Sequence, residues 1–226
     1  MPHNYNISKN ICPFAKCFFR NESSSGVILN TAKISPEKFS ISYPFIPNPN
    51  KDQIINRINT SIINEVSKLF TSQVLFPEKI DFNEILGTYD VMLNKNGLLS
   101  ILFNMYTYVN KAAHGFTAYS SITLNVNTGQ IYTFSDLFNP KIYYVGFLNE
   151  LANQYIKDNN ITLINEYKGI TPNQEYYLTP NSLVLYYQVY EYTPYYYGIF
   201  EIELPYSKIK NLLSPTSPIN MLRHLK

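Results

Sequence analysis

Three histidines, His3, His114 and His224, are the side chains of this 226-residue chain suited to base chemistry near neutral pH. Only His114 lies within patterned sequence, in "NKAAHGFTAYS", with Gly115 beside it. A Ser-His-Asp or Cys-His mechanism needs such a base next to a nucleophile and an orienting group. No GxSxG elbow, P-loop or GxGxxG accompanies it. His114 therefore reads either as a turn histidine satisfying backbone groups or as a general base at a loop tip. Glu201 and Glu203 alternate in "FEIELP", and with Asp90 and Asp136 they are the carboxylates that glycoside hydrolysis could pair. Alternation on a strand is instead the pattern of its solvent face. No HxH, HExxH or Asp-rich calcium loop is present, so no metal or other cofactor is expected, and the chain is expected not to be an enzyme.

Cys12 and Cys17 are the only cysteines. Their spacing is not CxxC, and two thiols alone do not close a tetrahedral zinc site. They read either as reduced thiols or as a disulfide, within the arm or between subunits, which needs an oxidising compartment.

The elements that must position these residues follow from composition and period. Hydrophobic residues make up 45% of the chain, enough for a sizeable core, while charged residues make up 15%, below the roughly 25% of ordinary globular proteins. The surface is therefore polar but weakly charged. A net charge of +2 without a basic run excludes a dedicated nucleic-acid binder, which needs clustered Lys and Arg to displace counterions. No run of eighteen apolar residues offers a membrane span, and no signal peptide is visible at the N-terminus.

Residues 1–25 read as a flexible or docking arm, polar in "NESSSG" but apolar in "ICPFAKCFF". "GVILNTAKI" and "KFSISYPFI" read as strands across a Ser-Pro turn. Ile55, Ile58, Ile62, Val66 and Leu69 form one stripe of a long helix, with Asn50 as its N-cap and Gln53 completing a capping box. Asn96-Gly97 predicts a hairpin whose second strand carries Leu99, Ile101, Phe103, Met105 and Val109 on one face. Ala118, Ser120, Ile122, Leu124 and Val126 share a face of the next strand, and "NTG" turns into another. Ser135 can cap a short turn. Tyr144, Leu148, Leu151 and Tyr155 form the stripe of a second long helix. "EYYLTPNSLVLYYQVYEY" and "GIFEIELP" each read as a strand, "PYSKIKNLL" as a short closing helix, and 214–226 as a tail. The fold class is α+β, with a mainly antiparallel sheet packed against two long helices. Residues 26–112 form an N-terminal half and 113–213 a C-terminal half.

"NTGQIYTFSDLF", "YYLTPNSLVLYY", "YEYTPYYYG" and "ELPYSKIKNLL", in this order, resemble the C-terminal domain of unknown function in the extracellular part of RsiV-type anti-sigma factors. The same domain occurs in PdaC-type peptidoglycan deacetylases. The segment from about Ser40 to Asn110 is similar to the domain that usually precedes it. Together the two cover roughly residues 27–213. The resemblance implies an RsiV-ectodomain-like α+β fold and a non-catalytic binding role, which in RsiV-type proteins is recognition of lysozyme. The sequence departs from these proteins in lacking a membrane span and the metal-binding Asp and His residues of a deacetylase domain, and in carrying the cysteine-bearing arm.

The expectation is a binding or structural module of a bacterial cell or spore surface. Its partner is a protein or the chain itself, with lysozyme or peptidoglycan as candidate ligands. A lysozyme-sensing or lysozyme-inhibiting protein and a small peptidoglycan hydrolase are the alternatives. Of the eight tyrosines between Tyr186 and Tyr206, Tyr195, Tyr196 and Tyr197 lie in a loop bracketed by Pro194 and Gly198. With His114 they are the candidate contact residues. Leu183, Leu185, Tyr187 and Val189 are assigned to the core, and Val184, Tyr186, Gln188 and Tyr190 to a more polar face. Cys12, Phe14, Cys17, Phe18 and Phe19 are the candidate inter-subunit residues of the arm, where strand addition at a sheet edge is the natural mode.

Overall fold

A computed structural model describes residues 26–74 and 80–222. The arm residues Cys12, Phe14, Cys17, Phe18 and Phe19, with His3 and His224, lie outside these. The first sheet has the order β1 (Asn30–Ile34), β2 (Phe39–Phe45), β3 (Phe82–Lys95), β4 (Leu98–Val109) and β5 (Phe116–Asn125). All its pairs are antiparallel except β2–β3, which are parallel and joined through α1 (Gln53–Val74). The second sheet has the order β6 (Tyr176–Leu178), β7 (Ser182–Tyr187) and β8 (Phe200–Pro205). Helix α2 (Tyr144–Asp158, 15 residues) precedes this sheet, and the one-turn α3 (Tyr206–Ile209) follows it. The α+β class stands.

Helix α1, 22 residues long, buries Ile58, Ile62, Val66 and Leu69 at three- and four-residue spacing. That stripe lies on Ile41 of β2, Ile85 of β3, Leu99, Ile101, Phe103 and Met105 of β4, and Ala118, Ile122 and Leu124 of β5. The cap is not Asn50. The carboxylate of Asp52 accepts from the backbone N–H of Ile54 at 2.6 Å and of Ile55 at 3.3 Å. Asn48 in turn holds Asp52 from both sides, accepting its N–H and donating to its carbonyl. Replacing Asp52 with Ala should lower stability by about 1 kcal/mol, seen as a lower urea midpoint at unchanged slope.

The Asn96-Gly97 hairpin forms as expected, with φ of 53° and 78° supplying the two left-handed positions of its turn. Strand β5, placed by the sequence in the C-terminal half, is the last strand of the first sheet, because Ala118, Ile122 and Leu124 complete the floor under α1. After "NTG" the chain makes only the bridge Leu124↔Ile131. It then enters a 3-10 turn, Phe134–Leu137, closed by Asp136 rather than Ser135: its carboxylate accepts from the Thr133 N–H and hydroxyl, each at 2.7 Å.

"EYYLTPNSLVLYY" is a hairpin, not one strand. Thr179 N–H donates to the Ser182 carbonyl at 2.9 Å and folds β6 onto β7. Strand β7 is buried along its whole length. Its Leu183, Leu185 and Tyr187 face the core made with α2, α3 and the segment 134–138, while Val184 and Tyr186 pack with Tyr177 on Leu102 of β4. The face expected to be polar is thus the layer between the two sheets. Serines and threonines stitch that layer. Ser100 Oγ lies 2.8 Å from Thr123 Oγ1 and accepts from the Leu178 N–H at 3.0 Å; Ser121 Oγ donates to the Tyr176 carbonyl at 2.6 Å. The segment read as a tail also docks. Ser214 N–H donates to the Leu137 carbonyl at 3.0 Å, and Ile219 and Leu222 are buried in the C-terminal core.

Candidate functional site

The β4–β5 connection carries His114, and the β7–β8 connection carries Tyr195, eighty-one positions later in the chain. Their rings stack with centroids 5.1 Å apart and planes at 30°. Tyr190 stacks on Tyr195 at 5.5 Å, and its hydroxyl lies 3.5 Å from His114 Nε2. His114 Nδ1 is 2.8 Å from the Gly115 carbonyl. A carbonyl only accepts, so Nδ1 is the donor of this bond.

Local backbone chemistry holds the three rings in place. A Cβ on Gly115 would fall 2.2 Å from the Tyr106 ring, so only glycine lets Tyr106 lie against this backbone. Partial burial raises the Tyr106 hydroxyl above its usual range, and the nearby Tyr195 phenol adds to that shift. Tyr190 sits at φ 67°, a left-handed conformation that costs a non-glycine residue energy and that aims its ring back over the connection. Pro194 opens the 3-10 turn Tyr195–Tyr197 and Gly198, at φ 76°, closes it.

The loop's three tyrosines do not act together. Tyr195 joins His114 and Tyr190. Tyr196 is 86% exposed, an aromatic ring standing in solvent. Tyr197 turns the other way, with its ring edge toward Phe200 at 6.2 Å, and its hydroxyl is raised by burial and by the Glu201 carboxylate. Tyr190 and Tyr106 belong to the patch and were not singled out from the sequence; Tyr190 was assigned to a strand face, but β7 ends at Tyr187. The other tyrosines of the stretch build the core. Tyr187 and Tyr192 meet edge to face at 5.0 Å, and Tyr167 bonds Tyr187 through their hydroxyls at 2.6 Å.

Glu201 and Glu203 are engaged locally. Glu201 accepts from the Tyr177 hydroxyl at 2.7 Å and Glu203 from Ser182 Oγ at 2.6 Å. Burial pushes the Glu201 carboxyl up; the Tyr177 hydrogen bond offsets part of this, while Glu203 and Asp90 add to it. A carboxyl raised on folding favours the folded state in its protonated form. Its contribution is greatest below the unfolded pKa and is lost as pH rises through the folded one. Glu201→Gln keeps an acceptor for Tyr177 and removes the charge. Relative to wild type it should therefore gain stability between pH 4 and pH 8, read by urea unfolding at the two values. Among the described residues no group of three or more His, Cys, Asp or Glu could hold a metal ion, and no helix is long and apolar enough to cross a membrane.

Residues 135–207, which include α2, the second sheet and the tyrosine turn, match a family described as a protein of unknown function, DUF3298. Over 186 residues the sequence is 26% identical to the anti-sigma-V factor RsiV of Bacillus subtilis (strain 168). That similarity covers 76% of this chain and 64% of the length of the relative. Two solved structures share the fold. A DUF3298-family member from Bacteroides fragilis has a TM-score of 0.63 at 15% identity, over 88% of this chain and 99% of that one. One from Pseudomonas aeruginosa has a TM-score of 0.59 at 16% identity, over 84% and 93%.

Proposed function

We propose that this chain is a non-enzymatic binding module of a bacterial cell or spore surface, and that it holds a protein partner with the patch formed by His114, Tyr190, Tyr195 and Tyr196. The observation that carries this reading is the stack of three rings, braced at Gly115 and Tyr190, beside the solvent-exposed Tyr196. Fixed tyrosines offer large contact area at small entropic cost, with a hydroxyl for orientation. The similarity to an anti-sigma factor supports a role in sensing by binding. Lysozyme is the first partner to test, by calorimetry at physiological salt, with sedimented peptidoglycan as the cell-wall arm. Binding of either without turnover supports a binding module, and binding of lysozyme supports the protein partner. Hydrolysis of muropeptides by the wild type would favour the hydrolase instead.

A second reading has its own observation. Among the described residues no strand pairs with the outer edge of β1, which begins five residues after the arm. The arm of a second copy, with Cys12 and Cys17 available for a cross-link, would fit there as an added strand. Deleting residues 1–25 should then reduce the particle size on a non-reducing column; an unchanged size contradicts self-assembly through the arm.

A further inference from the structure

Along the outer edge of β5 the chain covers its own backbone groups on both sides of one open rung. Tyr119 N–H donates to Gln188 Oε1 and the Tyr119 carbonyl accepts from Gln188 Nε2, both at 2.9 Å, so a side-chain amide stands where a neighbouring strand would. Farther along, the Thr123 carbonyl accepts from Tyr132 N–H, and Asn125 N–H donates to the Gln130 carbonyl. The β4–β5 register is unbroken, with Leu102 opposite Ser121, and antiparallel alternation turns the N–H and carbonyl of Ser121 outward like those of Tyr119 and Thr123. Among the described residues no protein group meets these two; the hydrogen bonds of Ser121 run through its hydroxyl, which donates to the Tyr176 carbonyl and accepts from Tyr186. The filled positions lie about 7 Å away along the strand in each direction. A whole strand therefore cannot be added at Ser121, and only a group one rung tall fits.

The rung opens on a cleft of about 750 Å³ between α1 and the segment around Ile131 and Tyr132. Its charged side chains, Glu65 and Lys68, pair with each other at 3.4 Å, and Glu65 also accepts from the Ser120 hydroxyl, so no free charge is left to select an ion. The backbone pair then decides what fits. A primary carboxamide has an N–H on the same side as its carbonyl oxygen, so one such group can face an N–H and a carbonyl together, as Gln188 does at Tyr119. A trans peptide bond points its N–H and carbonyl in opposite directions and cannot. A carboxylate only accepts, and ammonium and guanidinium groups only donate. Ile131 and Tyr132 give the cleft an apolar wall against which the methylenes of a glutamine side chain can lie.

We propose that this cleft is a docking slot for a glutamine side chain on an extended segment of a protein partner, whose carboxamide donates to the Ser121 carbonyl and accepts from the Ser121 N–H as Gln188 does one rung away. The slot is separate from the ring patch, and small blocked amides test it without the patch's partner, so either reading can fail alone. The full chain, labelled with nitrogen-15, is titrated with N-acetylglutamine methylamide, with the same compound dimethylated on its side-chain amide, with N-acetylglutamate methylamide and with free glutamine. The expected result is a saturable shift of the Ser121 amide with blocked glutamine. The dimethylated compound keeps the peptide bonds and the acceptor but lacks the donor, and it should bind at least tenfold more weakly, as should the glutamate. Ser67→Tyr and Thr71→Phe, which fill the cleft from an exposed helix face, should each weaken binding of blocked glutamine at least tenfold while the circular dichroism spectrum stays that of the wild type. No shift at Ser121, an equal response to the dimethylated compound or to the glutamate, tighter binding of free glutamine than of the blocked form, or full affinity in a folded variant would overturn the proposal.

Discussion

Tyr186→Ala should remove about 3–5 kcal/mol of stability, the cost of emptying a large aromatic site in a core that collapses only partly. Tyr186 is 1% exposed. It lies between the sheets with Leu102, Tyr177 and Val184, stacked on the Tyr177 ring at 6.2 Å. Its hydroxyl donates to Ser121 Oγ at 3.1 Å. Burial, then the Glu175 carboxylate, keeps that phenol protonated well above its usual range, so the loss should not vary with pH in the neutral region. Tyr186→Phe keeps the ring and gives up only the hydroxyl bond, about 1 kcal/mol. Domains of this size hold roughly 5–15 kcal/mol in total, so the alanine variant should unfold at a much lower urea concentration. An alanine loss no larger than the phenylalanine loss would mean that the two sheets do not pack through this ring.

The second large effect is on binding. Tyr195→Ala should weaken the partner by about 2 kcal/mol or more, roughly thirtyfold, because Tyr195 is the middle ring of the stack and both His114 and Tyr190 lose their support with it. Tyr197→Ala is the matched control. It removes a ring of the same turn that faces Phe200 and Glu201, and it should leave affinity within a factor of three. Equal effects of the two substitutions would place the contact on the turn as a whole and not on the stack.

Local physics made much of the fold legible. The helical stripe from Ile58 to Leu69 and the Asn96-Gly97 turn are properties of a few consecutive residues, and both appear where the pattern put them. What the pattern could not carry is the partner of a face. Val184 and Tyr186 alternate with Leu183 and Leu185 as a half-buried strand would, yet a second sheet covers them, and that sheet's Leu102 is more than eighty residues earlier. The same limit hid the patch. His114 and the tyrosine turn were each visible, but nothing in their spacing brings the β4–β5 connection against Tyr195. Tyr190 was assigned to the wrong element because "YYQVYEY" continues the alternation past the point where Gln188 leaves the strand to cap β5. The Thr179–Ser182 turn was missed because its Thr-Pro-Asn sequence lacks the glycine that marked the earlier hairpin.

The most direct test of the central claim is hydrogen exchange on the wild-type chain with and without saturating lysozyme. The account predicts protection in the two connections that build the patch, 110–116 and 188–199, with the outer face of α1 unchanged. Protection confined to other surfaces, or no complex at all under physiological salt, would contradict it.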